Sequence, residues 1–494
     1  MTTAYRKWFL EKSAAFTSAE STVLTGPFVE QEGHSYNVEL PELAEFSDCS
    51  EYSARSPLLL FEDGKLLYPP HSSHDYVAQA GKGAYSHWNE QLFFSSSDGT
   101  DPNENGRVYS YICSQEAYLA AYSKEIEGVA HYLMAGPFKE GDGHSFSCFI
   151  PQPIASSLGL LADTAELLQS TLLVCEDGRA LKSPHTNHDY IALHGKGKHS
   201  HWQDKIYFSS SDGSSPQENE RLYTFTSCRE NYLSVFQEKI GEYDHLVMHR
   251  PFVHQDGLCF SFQIPKAITE VCGVSFPLVV YEDEKPLIGN HTEHKDIAKF
   301  GHGGHSLWQD KVLFSSSDGT DPFHNGRKYT FTFTQKAFKQ FYEVENSPYD
   351  CPLYRIVGPF QHLEGKCWAK RLPSHLVEEL KRLCPCSSQV DVNPLLLFED
   401  NVLLGPCDAR ETDITSIGQG LYFFDGAAWL LFSTSDGTSP NNNGRQYSFS
   451  YSLELFVRQV TKLEKKAVSI GLSGLYPCVE ETCEEGSAER TCAL

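Results

Sequence analysis

The stretch Ser95-Ser96-Ser97-Asp98-Gly99-Thr100-Asp101-Pro102-Asn103-Glu104-Asn105-Gly106-Arg107-Val108-Tyr109 occurs in four versions along the chain. Residues 209–223 read SSSDGSSPQENERLY, residues 315–329 read SSSDGTDPFHNGRKY, and residues 433–447 read STSDGTSPNNNGRQY. The arginines Arg107, Arg221, Arg327 and Arg445 are 114, 106 and 118 residues apart. That period exceeds the ~20–50 residues of a solenoid turn or a propeller blade and suits a small domain with its own core. The chain therefore divides into repeat units at 1–112, 113–227 and 228–333, with a divergent fourth at 334–451. A helix over 452–467 is expected to cap the array. The acidic tail 468–494, with Glu480, Glu481, Glu484, Glu485 and Glu489, is expected to be disordered.

Each copy repeats one order of signals. Aromatic or aliphatic residues four apart (Tyr118, Tyr122, Ile126; Tyr232, Phe236, Ile240; Phe338, Tyr342; Tyr5, Phe9) share a helix face. Ser114, Ser227, Thr334 and Ser452 stand where an N-cap oxygen would satisfy free backbone N–H groups. Gly26-Pro27-Phe28 and its counterparts follow, then a strand such as His34–Leu40. Pro57–Leu67 reads as a hairpin, because Asp63-Gly64 supplies the positive φ of a tight turn. A histidine loop, a Gly-x-Gly turn, a tryptophan strand, the signature and a returning strand complete the unit. The expected fold is mainly β with flanking helices (α+β): four tandem copies of a small antiparallel β-sandwich or open barrel, each with one amphipathic helix.

Composition narrows the function classes. The 494 residues carry 40 basic and 65 acidic side chains, a net charge of −25, which offers no concentrated positive field for nucleic acid or an anionic membrane surface. No apolar run approaches the ~20 residues of a membrane span, and the N-terminus lacks a signal-peptide core. The 15 cysteines do not align between copies; Cys175, for example, stands where the others have Phe61, Tyr281 and Phe398. A disulfide framework would repeat with the domain, so reduced thiols and a cytoplasmic setting are expected.

Within the signature, Asp98 accepts from loop N–H groups, Pro102 fixes a turn, Asn105-Gly106 tolerates left-handed backbone, and Arg107 reaches back to Asp98 as a staple. The same pairing is expected of Asp212/Arg221, Asp318/Arg327 and Asp436/Arg445, with direct ligand contact as the competing role. Asp101-x-Asn103-x-Asn105-Gly106 imitates the start of an EF-hand, but position twelve is Ile112 rather than glutamate, which excludes that site. The sharper candidate is the histidine loop: His71, His74 and Asp75; His185, His188 and Asp189; His291 and His294. Zinc would need a third and fourth ligand, and His87 and His201 find Leu307 in the third copy. In the fourth copy Asp408 and Glu411 replace the pair. Trp88, Trp202, Trp308 and Trp429 recur just before the signature strand, either as core or as indoles that stack on a sugar face. No nucleophile elbow surrounds the serines.

The run Phe61-Glu62-Asp63-Gly64-Lys65, His74-Asp75, Gly81-Lys82-Gly83, Ser86-His87-Trp88, Phe93–Asp98 and Asn105-Gly106-Arg107-x-Tyr109 resembles a poorly characterised repeated β module. That module is found in bacterial polypeptides alongside glycosyltransferase, sulfotransferase and methyltransferase domains. The resemblance covers the second half of each unit and implies a glycan-related context without catalytic residues.

The reading that follows is a tandem, lectin-like carbohydrate-binding protein rather than an enzyme, with one site in each of units 1–3 and no resident cofactor. Repetition raises avidity without new contacts. The candidate ligand-binding residues are His71, His74, Asp75, Trp88, Asp98 and Arg107; His185, His188, Asp189, Trp202, Asp212 and Arg221; His291, His294, Trp308, Asp318 and Arg327. The alternatives are an enzyme using zinc or another transition metal at the histidine pair, and an intracellular scaffold.

Overall fold

A computed structural model describes residues 3–14, 16, 21–272, 278–290, 292–344, 347–383, 394–426, 428–470 and 472. His291, Cys384 and Cys386, and tail residues 471 and 473–494 lie outside the described residues.

The first unit contains β1 (Thr22–Val23), β2 (Val29–Glu30), β3 (Tyr36–Glu39), β4 (Leu58–Glu62), β5 (Lys65–Leu66), β6 (Tyr85–Trp88), β7 (Gln91–Phe94) and β8 (Tyr109–Cys113). Three helices accompany it: α1 (Thr3–Ser13), α2 (His74–Ala80) and α3 (Gln115–Tyr122). The strands form two antiparallel sheets in the orders β1-β8-β4-β5 and β2-β3-β7-β6. The same pair of sheets recurs in every unit, so the chain is a row of four small β-sandwiches with helices, as the sequence pattern predicts. The second and third units widen the first sheet with hairpins, Ser123–Ile126 to Val129–Leu133 and Gln237–Ile240 to Tyr243–Val247. The third also adds Gly289–Asn290, parallel to Gly304–Trp308.

Strand β4 explains why the helices are needed. All five of its residues are buried, which for a strand means that both faces are covered. Leu58 and Leu60 point between the sheets, among Phe28, Tyr85, Leu92, Phe94 and Tyr109. Leu59 and Phe61 point the other way and pack with Phe9, Tyr118 and Tyr122 from α1 and α3. Each later helix likewise folds back onto the sheet it has just left. Tyr232 and Phe236 cluster with Leu173, Phe338 and Tyr342 with Val279 and Tyr281, and Leu455, Phe456 and Leu463 with Leu395–Phe398. The last helix, Leu453–Ser469, thus covers its own unit's sheet as its predecessors do, and α1 is the surplus one.

The turns follow the predicted chemistry. Asp63 and Gly64 have φ of 47° and 71°, and Asp177-Gly178, Asp283-Glu284 and Asp400-Asn401 are left-handed at both positions too. Ser114 and Ser452 cap their helices. Ser227 does not: that helix starts later, with Cys228 at its N-cap and no side-chain bond. Thr334 is an N-cap without a capping bond, because its hydroxyl pairs with Thr332 Oγ1 at 2.9 Å. Gly33, Gly143, Gly257 and Gly365 let the β2–β3 turn and its counterparts reach the short helix of the same unit. A Cβ at these positions would stand 2.4, 2.3, 2.3 and 2.6 Å from the carbonyl oxygens of Ala78, Ala192, Ala298 and Thr415.

Nine cysteines have described side chains, and all nine are free thiols. No described helix is long and apolar enough to cross a membrane.

Candidate functional site

The signature loop closes on a buried glutamate that hydropathy alone would place outside. Glu62, at the end of β4, is 5% exposed. Its Oε1 accepts from Arg107 Nη1 at 3.1 Å, Tyr109 OH at 2.8 Å and Ser97 N at 3.1 Å, and Oε2 accepts from Ser97 Oγ. Arg107 also grips Asp98 with both terminal nitrogens, at 2.9 and 2.5 Å, and Asn105 holds the Tyr109 hydroxyl at 2.9 Å. Asp98 titrates well below the usual carboxylate range, through Arg107 first and Thr100 second. Asn103 pairs with both backbone groups of Phe28, at 2.8 and 3.0 Å, tying the signature to the Gly-Pro-Phe turn. Glu176, Glu282 and Glu399 repeat the hub with Arg221, Arg327 and Arg445. The staple pairs Asp212/Arg221 and Asp318/Arg327 close at 2.5 Å. Sequence reading missed this hub; the recurrence of a glutamate at the hairpin in all four copies is the one signal that could have found it.

The histidine loop does something different. The first histidine adopts left-handed backbone (φ 53° at His71, 58° at His185), which His tolerates better than most side chains. His71 Nδ1 donates to Asp48 Oδ2 at 2.7 Å, and its Nε2 accepts from the Tyr118 hydroxyl at 3.0 Å. Asp48 Oδ1 in turn accepts from the backbone N–H of Arg55 and Ser56 at 2.7 and 2.9 Å. In the second unit Asp163, His185 and Tyr232 repeat this chain at 2.6 Å on both sides, and Gln169 and Ser170 supply the N–H groups. Beside each chain a buried serine hydroxyl meets a buried histidine: Ser56 with His87 at 2.7 Å, Ser170 with His201 at 2.9 Å. Burial pushes His87 down to about 4. Both ring nitrogens of His71 and His185 are thus committed within the protein. The loop that they brace reaches the next unit: Gln152 N donates to Ala54 O at 2.7 Å, and Lys266 N to Leu168 O at 2.8 Å.

The second histidine opens the short helix and lies on the outer face of the second sheet. His74 stacks on Phe93 with centroids 4.0 Å apart and meets Trp88 edge-on at 5.9 Å. His188 does the same with Tyr207 at 3.7 Å and Trp202 at 6.1 Å, and His294 meets Trp308 at 5.1 Å. Burial lowers the pKa of His74 and His188. Beneath the tryptophans Ser86, Ser200 and Ser306 recur, all buried.

These side chains form one wall of a cleft, and the next unit supplies the other. A cleft of about 600 Å³ has His71, His74, Asp75, Ser86 and Trp88 on the first unit's side and Pro137, Lys139, Ser147, Phe149 and Lys205 on the second's. A cleft of about 730 Å³ repeats it with His185, His188, Asp189, Ser200 and Trp202 facing Arg250, Pro251, Ser261, Gln263 and Lys311. Asp98 and Arg107 line neither; they border a separate groove with Arg6, Lys65 and Lys82. The histidine and signature loops therefore do not converge on one pocket per unit.

At the third junction the position of Cys148 and Phe262 is held by Lys370, whose ammonium donates to Pro359 O at 3.3 Å. Burial lowers that lysine to about 8, against the opposing pull of Asp296 and Glu293 on the third unit's short helix. The third unit also lacks the counterparts of Tyr118, which completes the Asp48–His71–Tyr118 relay, and of His87, with Phe338 and Leu307 in their places. In the fourth unit Tyr422 pairs with Phe432 as Tyr85 pairs with Phe94. That register places Phe423 at the position of Ser86 and Asp425 at that of Trp88. Trp429 stands on the following strand, so it is no counterpart of Trp88. Among the described residues no group of three or more His, Cys, Asp or Glu side chains is arranged to hold a metal ion.

Compared with protein families, curated proteins and solved structures, the chain matches none.

Proposed function

We propose that this chain is a tandem carbohydrate-binding protein whose sites are the clefts between consecutive units. One observation carries the reading. The cleft recurs at the first two junctions with the same histidine, aspartate, serine and tryptophan on its leading wall. The fourth unit replaces four residues of that wall together: Asp408, Glu411, Phe423 and Asp425 stand for His71, His74, Ser86 and Trp88.

An indole and an imidazole held at right angles give a sugar ring an apolar face, and the surrounding hydroxyl, carboxylate and ammonium groups suit its hydroxyls. The site residues thus become His74, Asp75, Ser86 and Trp88 with Lys139 and Lys205, and His188, Asp189, Ser200 and Trp202 with Lys311. His71 and His185 position the loops, and Asp98/Arg107 with their counterparts hold the fold. Two weak sites on one chain gain from avidity. Free thiols favour a cytoplasmic setting. A glycan array followed by calorimetry on the intact chain tests the reading. Binding that weakens on Trp88→Ala and again on adding Trp202→Ala is expected; a folded protein that binds no saccharide overturns it.

A further inference from the structure

The two clefts share their leading walls but not their following walls. Lys139 in the first cleft is replaced by Val253 in the second, and Phe149 by Gln263. Among the described residues neither Lys139 nor Lys205 has a carboxylate partner, whereas the signature arginines Arg107, Arg221, Arg327 and Arg445 each hold two. In a chain with net charge −25, these two ammonium groups give the first cleft a local positive charge. The Lys205 ammonium lies 4.6 Å from the centre of the Phe149 ring, which directs it without neutralising it. Of the carboxylates there, Asp48 has both oxygens committed to His71 and backbone N–H groups, leaving Asp75 alone against two cations.

The second cleft has an even balance. Arg250, held by the carbonyls of Pro322 and Arg327 at 3.1 and 2.8 Å, and Lys311 are matched there by Glu166 and Asp189. Its distinctive groups are neutral: Ser200 Oγ and Gln263 Nε2 are buried without a hydrogen-bond partner among the described residues. A buried polar atom left unpaired costs stability, so it marks a place where a ligand hydroxyl or a water would be gained.

We infer that the two clefts have different specificities: the first takes a saccharide residue bearing an anionic group, a carboxylate or a sulfate, and the second takes a neutral, hydroxyl-rich residue. This inference rests on the carbohydrate-binding reading. Charge-assisted contacts from Lys139 and Lys205 would select the anion, and the serine and glutamine would read hydroxyls.

The test uses the full chain and a panel of saccharides in matched pairs, each uronate with its methyl ester and each sulfated sugar with its desulfated form. Trp202→Ala isolates the first cleft and Trp88→Ala the second. With Trp202→Ala, binding should favour the charged member of a pair about tenfold, weaken with salt, and lose that preference on adding Lys139→Gln and Lys205→Gln. The carboxylate and sulfate arms identify the anion. With Trp88→Ala, the neutral member should bind at least as well. A first cleft that binds both members equally overturns the inference and leaves the carbohydrate reading standing. Failure of the folded wild-type chain to bind any member removes both.

Discussion

Glu62 Oε1 and Arg107 Nη1 lie 3.1 Å apart, and the corresponding atoms of Glu176 and Arg221, Glu282 and Arg327, and Glu399 and Arg445 keep the same distance. Removing one member of such a pair strands the other together with the tyrosine and serine that share the carboxylate. Glu176→Ala should therefore destabilise its unit by about 3 kcal/mol. Denaturant unfolding checks this; an unchanged unfolding curve would show that the hub is dispensable.

Stability should fall as the solution is acidified below neutrality. Burial holds His87 near 4, His199 near 3 and His305 near 4 in the folded chain, against about 6.5 when unfolded. The unfolded state therefore binds protons first, so stability is full above pH ~6.5 and is lost progressively as pH drops toward ~4, by roughly 3 kcal/mol per fully buried histidine. His87→Leu borrows the residue that the third unit already carries as Leu307, and it should flatten the dependence of the first unit. Thermal midpoints measured across this range would show the slope and its loss.

The tyrosine of the relay is worth one hydrogen bond. Tyr118→Phe and Tyr232→Phe should each cost about 1 kcal/mol, because Phe338 shows that the ring alone fits. Asp48→Ala should cost more, since it frees two backbone N–H groups and His71 Nδ1 together. Equal losses from Tyr118→Phe and Asp48→Ala would contradict this.

Two left-handed glycines should respond differently to alanine. At Gly64 nothing lies within 4 Å of an added Cβ, so Gly64→Ala should cost only the backbone penalty of about 1 kcal/mol. At Gly143 the Cβ would meet Ala192 O at 2.3 Å, and the hairpin would have to leave the helix. Gly143→Ala should lose at least twice as much, read by the same unfolding measurement.

Trp429 is 37% exposed but lies off the register of the cleft tryptophans. Trp429→Ala should leave saccharide binding unchanged, in contrast with Trp88→Ala. Comparable losses from both would argue against the cleft as the site.

Much of this molecule is legible along the chain. The fourfold signature sets the number of units, period-two alternation and Asp-Gly turns set the strands, and aromatic pairs four apart set the helices, but Ile126 and Ile240, expected on the same helix faces, lie on the strands that follow. The Asp98–Arg107 staple follows from spacing, because its members are nine residues apart in one loop. All of these are local relations, decided by backbone preference and near neighbours.

What only the tertiary structure decided is non-local. Asp48, His71 and Tyr118 are 23 and 47 residues apart, and no spacing rule joins them. Glu62 reads as a hairpin residue until Arg107 and Tyr109 arrive beside it. Each of the two clefts draws its lining from two consecutive units. A repeat read one copy at a time describes the units and cannot describe the space that two of them enclose.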